Sequence, residues 1–252
     1  MLSSAAIPDL TSASSEPVTW VLLRGLSRAG TNWGEFPRVF VNQLAKLQPD
    51  VRVLLLDLPG HGELRDQSSP SSIAALVEAC RADLQRRGVG APVHLLAMSL
   101  GALIASEWAA RYPQEVRGAV LINTSLRPFS PVLRRLRPLA PLQFLGFVRS
   151  ASAGDGVSSR VRLSNAWRQL LAALRFRASR ARPEPPMLLL CSLGDGLVDW
   201  RCSQTLSRAW GVPLRMHTAA GHDLPQDDPP WVAAAVSEWV ALRSQNETSA
   251  PR

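Results

Sequence analysis

Six short apolar runs punctuate the chain. They are Val18 to Leu23, Val51 to Leu56, Pro92 to Leu96, Val116 to Ile122, Met187 to Cys191 and Pro213 to His217. Each has strand length and is bounded by turn residues or by polar sequence. Between most of them the apolar positions recur at three and four residues, the period of a helix with one buried face. Phe36, Val39, Phe40, Leu44 and Leu47 form one such face. Ile73, Leu76, Val77, Cys80 and Leu84 form another, closed near Gly88. Ala102 to Ala109 reads as a buried helix that ends near Tyr112-Pro113, and Cys202 to Trp210 as a further helix. Trp231, Ala234, Ala235 and Trp239 mark a final amphipathic helix, with Asp227 and Asp228 near its positive N-terminal end. Strand and helix alternating at this spacing predict an α/β fold: a mostly parallel, doubly wound sheet covered on both faces.

The alternation breaks at Asn123 and resumes at Met187. Between them the chain is rich in Pro and Arg, with helix-like pieces at Pro131 to Leu136, Pro141 to Val148 and Asn165 to Phe176. The expected organisation is a loose N-terminal tail over 1–17, a core built from 18–125 and 183–244, a basic helical insertion over 126–182, and a polar tail over 245–252. A length of 252 residues with 46% hydrophobic content suits one large domain carrying an insertion. The apolar runs are too short to cross a bilayer. The first seventeen residues lack the basic start and continuous apolar stretch of a signal peptide. Cys80, Cys191 and Cys202 make no metal-ligand spacing and leave an odd thiol, which favours a reducing compartment and a cytoplasmic location. No metal or cofactor is expected.

Charge changes the picture in one place. The net charge is +8, yet the segment from Arg127 to Arg182 holds twelve arginines against one acid, Asp155. The remainder is mildly acidic. A single basic segment points to a local surface rather than to a nucleic-acid-binding protein.

The stretch Ala97-Met98-Ser99-Leu100-Gly101 lies between an apolar strand and an apolar-periodic helix. A serine in that turn, with small residues two before and two after it, has the layout of a nucleophile elbow. The competing reading is an ordinary helix N-cap. A serine hydroxyl needs a base, and a histidine base needs a carboxylate to fix its tautomer. Of the four histidines, His94 sits inside a strand and reads as a core residue, and His61 lies in a Pro-Gly-His-Gly turn that it would hold together. His217 ends the last strand. His222, in the loop Ala220-Gly221-His222-Asp223, follows that strand, and loops past strand ends assemble the site in parallel α/β sheets. The acid is Asp195, just past the Met187 strand, with Asp199 as the alternative. Asp57 reads as an anchor for its own turn.

With those residues in order, the chain resembles the α/β-hydrolase superfamily from Val18 to about Leu242. Four segments carry the resemblance: Arg24-Gly25-Leu26, Asp57-Leu58-Pro59-Gly60-His61-Gly62, the elbow, and the ordered Asp195 and His222 loops. It implies an α/β-hydrolase sheet with a helical cap insertion. It further implies that Ser99 attacks, His222 acts as base and then acid, and Asp195 orients His222. The backbone N–H groups of Leu26 and Leu100 would form the oxyanion hole. Met98 and Trp33 are candidate substrate contacts. Two departures stand out: Arg24 replaces the family's usual histidine before the glycine, and Ala97 replaces the first elbow glycine. A serine nucleophile argues against epoxide hydrolases and haloalkane dehalogenases, which place aspartate at the elbow.

The insertion occupies the place of the family's cap. Leu133, Leu136, Leu139, Phe144, Leu145 and Phe147 either line an acyl pocket or pack the cap itself. Arg134, Arg135, Arg137, Arg175, Arg177 and Arg180 are either a solvated face or a site for an anionic or carrier-bound substrate. Pro138 and Pro141 break any long amphipathic helix there, which ranks membrane contact lower. The expected activity is hydrolysis of a carboxylic ester or thioester through an acyl-enzyme. The alternatives are lyase chemistry on the same triad, with the cap arginines holding an anionic substrate, and a non-catalytic binding protein on the same fold.

Overall fold

The computed structural model describes residues 17–26, 30–135 and 163–249. Six strands form one sheet: β1 (Thr19–Leu23), β2 (Arg52–Leu56), β3 (Val93–Met98), β4 (Val116–Ile122), β5 (Met187–Ser192) and β6 (Leu214–His217). Their order is β2-β1-β3-β4-β5-β6 and every neighbouring pair is parallel. The expected parallel sheet is therefore present. The helices are α1 (Phe36–Leu44), α2 (Ile73–Arg86), α3 (Leu100–Arg111), α4 (Val132–Arg135), α5 (Leu163–Arg175), α6 (Arg201–Trp210), α7 (Leu224–Asp227) and α8 (Pro229–Ser249).

Strand periodicity sorts the core into two layers. Val21 and Leu23 of β1 face α2, α3 and α6, whereas Trp20 and Leu22 face α1 and α8. Both sets are fully buried, which is why the central strands are apolar throughout rather than alternating. Local signals fix several helix ends. Ser72 Oγ accepts the Ala75 N–H at the start of α2. Gly211 ends α6 in the left-handed conformation at φ 62°.

Two boundaries differ from the sequence reading. Helix α1 stops at Leu44, so Leu47 leaves the buried face and is 46% exposed. Helix α8 continues to Ser249, into the segment 245–252 read as a polar tail. Polarity there marks a helix that has outrun the core, not the end of the helix.

The insertion contributes α4 and α5. The segment Pro141 to Val148 lies outside the described residues, as do Leu136, Leu139, Phe144, Leu145, Phe147, Arg137, Pro138 and the side chain of Leu133. Helix α5 seats on the Asp57–Gly62 turn. Gln169 Nε2 lies 3.1 Å from His61 Nδ1 and donates to Ser69 Oγ at 3.1 Å. Asn165 Oδ1 accepts the Ser69 N–H, and its Nδ2 donates to Gln67 O. Within the turn, Asp57 Oδ2 accepts the Glu63 N–H at 3.1 Å. A side chain at Gly62, whose φ is 48°, would collide with the Asp57 carboxylate. His61 and Asp57 thus hold a loop, as their position in the sequence suggests.

His94 is in the core, stacked on Trp20 at 4.4 Å between ring centroids. It is not fully satisfied, because its buried Nδ1 has no hydrogen-bond partner. Burial pushes its pKa down to about 3, with Arg117 and Arg243 adding to the effect. Burial likewise pulls His61 down to about 4, against the opposing charge of Asp57. Both rings are neutral in the folded protein at pH values where the unfolded chain binds protons. Stability is therefore complete above about pH 6.5 and falls as pH drops below it, by up to about 1.4 kcal/mol per pH unit for each histidine. Urea unfolding between pH 8 and pH 5 should show this loss, and His94→Gln should flatten the slope. A slope the variant leaves unchanged would contradict the assignment.

Candidate active site

All six strands run the same way, so the loops after them gather at one edge of the sheet. Arg24-Gly25-Leu26 follows β1, Ser99 follows β3, Asn123 follows β4, Asp195 follows β5 and His222 follows β6. Topology alone brings these residues to one edge.

Ser99 sits at φ 54° and ψ −114°, a conformation that L residues rarely adopt. Its N–H donates to Ile122 O at 3.0 Å, and its carbonyl accepts from Ala102 and Leu103 at the start of α3. It stands at the N-cap position of α3 but makes no side-chain cap hydrogen bond, so capping does not account for the serine. The sharp turn requires small neighbours. A Cβ at Gly101 would run into the carbonyl oxygens of Leu23 and Arg24. Ala97 is fully buried in β3, paired with Leu23 and Leu121, and its methyl is accommodated. A Cβ at Gly25 would lie 3.2 Å from Ser99 Cβ, so the β1 loop passes directly against the serine. Leu100 opens α3, where a backbone N–H has no partner within the helix.

His222 Nδ1 lies 2.8 Å from Asp195 Oδ2. Asp195 is 2% exposed, and its Oδ1 accepts the N–H groups of Leu197 and Val198 at 2.7 and 3.0 Å. The carboxylate is thereby fixed in orientation. The alternative acid is occupied elsewhere: Asp199 Oδ1 accepts the Arg201 N–H at 2.9 Å at the start of α6. Among the described residues Ser99 Oγ and His222 form no hydrogen bond with each other, although their two loops share the edge.

The His222 loop is held from several sides. His217 Nδ1 accepts the N–H groups of Ala219 and Ala220, which puts its proton on Nε2, 3.2 Å from Asp228 Oδ2. Asp227 Oδ2 accepts the Gly221 N–H at 2.7 Å. Ser192 Oγ donates to Ala220 O. Asn123 does the widest bridging. At φ 47°, it donates from Nδ2 to His222 O at 2.8 Å and accepts the Ser192 N–H on Oδ1 at 2.9 Å. It ties β4, β5 and the histidine loop together. An asparagine directly after an apolar strand was the available signal, since Asn tolerates the left-handed region.

Arg24 carries the other link. It is 1% exposed, and its guanidinium pairs with both oxygens of Asp223 at 2.9 and 2.6 Å. Its cation lies 4.7 Å from the centre of the Trp33 ring, and Met98 Sδ is 4.0 Å from Nη1. Trp33 and Met98, read from the sequence as substrate contacts, are core residues packed around this guanidinium and do not line the cavity at Ser99. The departure from the family's histidine thus has a partner: Arg24 precedes Gly25-Leu26, and Asp223 follows His222. Removing one member of a buried ion pair typically costs about 3–5 kcal/mol because the other charge is left unpaired. Asp223→Ala should destabilise the protein by about that much in urea unfolding, and adding Arg24→Met should recover a large part. Additive losses would contradict a direct pair.

A cavity of about 100 Å³ opens at Ser99, lined by Leu26, Leu100, Leu103, Asn123, Ser125, Arg135 and Val198, together with Leu170, Ala173 and Leu174 of α5. The lining is chiefly apolar. Of the arginines singled out in the sequence, Arg134, Arg175, Arg177 and Arg180 are exposed, and Arg135 is buried. Among the described residues no group of three His, Cys, Asp or Glu side chains forms a metal site, and no helix is long and apolar enough to cross a membrane. The three cysteines are free and buried, and burial pushes the Cys191 thiol up to about 12.

Comparison with known proteins agrees with this architecture. The chain is 38% identical over 95 residues to a pimeloyl-[acyl-carrier protein] methyl ester esterase of Chromobacterium violaceum, covering 38% of this chain and 35% of that protein. It is 28% identical over 236 residues to the biotin biosynthesis bifunctional protein BioHC of Cellvibrio japonicus, covering 82% of this chain and 46% of that one. The chain therefore spans less than half the length of these curated relatives. Among solved structures, a hydrolase from Pseudomonas aeruginosa superposes with a TM-score of 0.66 at 20% identity, over 91% of this chain and 92% of that chain. A thermophilic esterase from Thermogutta terrifontis superposes with a TM-score of 0.61 at 20% identity, over 89% of each chain. A family model described as the alpha/beta hydrolase family matches residues 20–235, most of the sheet and its helices, and the chain belongs to that family.

Proposed function

We propose that the protein is a serine esterase that cleaves a carboxylic ester or thioester through an acyl-enzyme. The observation that carries this reading is the His222 Nδ1–Asp195 Oδ2 pair at 2.8 Å, set at the same sheet edge as a serine in a positive-φ elbow. The carboxylate holds the His222 tautomer with its proton on Nδ1, which leaves Nε2 free to accept a proton. Ser99 Oγ adds to the substrate carbonyl as its proton passes to His222 Nε2. The resulting oxyanion is held by the N–H groups of Leu26 and Leu100, each such donor being worth about 2.7–4 kcal/mol at the transition state. As the carbon–oxygen or carbon–sulfur bond breaks, the leaving group takes the proton from His222, and Ser99 is acylated. Water, deprotonated by His222, then releases the acid and restores the serine.

The relatives named as pimeloyl-[acyl-carrier protein] methyl ester esterases support an ester as the bond attacked, and the carrier in that name supports a carrier-bound ester as one to screen. The chiefly apolar lining from α5 supports the insertion's role as a cap that shapes an acyl site and excludes water. The test is stopped-flow hydrolysis of p-nitrophenyl esters in H₂¹⁸O. The expected result is a burst of about one p-nitrophenolate per protein, with ¹⁸O in the released acid. Turnover without ¹⁸O incorporation would favour lyase chemistry, and no turnover of esters or carrier-bound esters would favour a binding protein.

A further inference from the structure

Among the described residues, the cavity at Ser99 is lined by one charged side chain, Arg135 at the end of α4. This residue is 7% exposed. Its Nη2 donates to Ala173 O at 3.1 Å, and its Nε is buried with no hydrogen-bond partner. Burial, and then the like charge of Arg127, both disfavour its cation. The contrast with Arg24 is instructive. Where the fold buries an arginine against Trp33, it supplies both oxygens of Asp223. Arg135 is buried to a similar degree, yet no described carboxylate lies within ion-pair distance of it. A desolvated guanidinium with unused donors is costly for a fold to retain, and its planar fork matches a carboxylate.

We propose that Arg135 binds a carboxylate of the substrate, so that the enzyme selects esters bearing a negative charge close to the scissile carbonyl. Apolar lining residues, among them Leu103, Leu170, Leu174 and Val198, would pack the short chain between the two groups. A cavity of about 100 Å³ has room for several water-sized groups, which keeps that chain to a few carbons. The purely structural alternative is a clamp between α4 and α5 through Ala173 O. This inference rests on the reading of Ser99 as nucleophile.

The experiment compares kcat/KM for the monomethyl half-esters of succinic, glutaric and adipic acids with those for the dimethyl diesters of the same acids. Wild type should favour the half-ester at one or more lengths by at least tenfold. Arg135→Met should lower that ratio at least tenfold, and Arg135→Lys should retain part of it. A ratio at or below one at every length in wild type, or a ratio unchanged in Arg135→Met, would overturn the proposal. A second measurement needs no variant: succinamate and its longer homologues should inhibit wild type competitively at concentrations at least tenfold lower than the corresponding neutral diamides. Equal inhibition would overturn it. Ser99→Ala separates the two readings, because persistent turnover there would remove the nucleophile assignment while the charge preference still reports on Arg135.

Discussion

Replacing Ser99 with alanine should lower kcat on a p-nitrophenyl ester by about 10⁶-fold, with KM changed little. The size of the effect follows from the chemistry of the site. On the proposed mechanism, without Oγ the His222–Asp195 pair would have no nucleophile to deprotonate, and the N–H groups of Leu26 and Leu100 would stabilise only whatever attack water makes unaided. The variant should fold. Ser99 is held through its backbone, by its N–H to Ile122 O and its carbonyl to Ala102 and Leu103, and alanine keeps all three bonds. Thermal unfolding near the wild-type temperature would show that the loss is chemical. A drop of tenfold or less would mean that another group attacks.

Asp195→Asn should lower kcat by about 10⁴-fold, the scale of the corresponding change in a serine-protease triad. The amide keeps its oxygen toward the N–H groups of Leu197 and Val198, which already fix Oδ1. Its NH₂ then faces His222 Nδ1 and donates to it. Nδ1 becomes an acceptor, the ring proton moves to Nε2, and Nε2 can no longer take the serine proton. The wrong tautomer is the damage, with the geometry nearly unchanged. Asp199→Asn is the control, because that carboxylate serves the start of α6. It should leave kcat within about threefold of wild type, whereas equal losses in the two variants would undo the choice of acid.

Local pattern carried much of this architecture. Apolar runs of strand length and three-four periodicity located all six strands and the five helices that cover the sheet, and parallel alternation placed the loops of Ser99, Asp195 and His222 at one edge. Asp195 and Asp199 stand in one loop, so sequence leaves both open, and only the backbone path decides that Asp195 is the one beside His222. Arg24 was visible as a departure, but its partner Asp223 is 199 residues away, and no local pattern reports such a contact. Trp33 and Met98 are substrate-contact candidates in the sequence reading. They are turned inward to surround the buried guanidinium. Arg135 was one arginine among twelve in its segment, and burial alone separates it from its exposed neighbours.

The proposed mechanism stands or falls on Ser99 as the nucleophile. Incubation with a fluorophosphonate, followed by intact mass and peptide mapping, tests it directly. One adduct per chain is expected, on Ser99, lost in Ser99→Ala and greatly slowed in His222→Gln. Equal labelling of wild type and Ser99→Ala, or an adduct mapped to another residue, would contradict it.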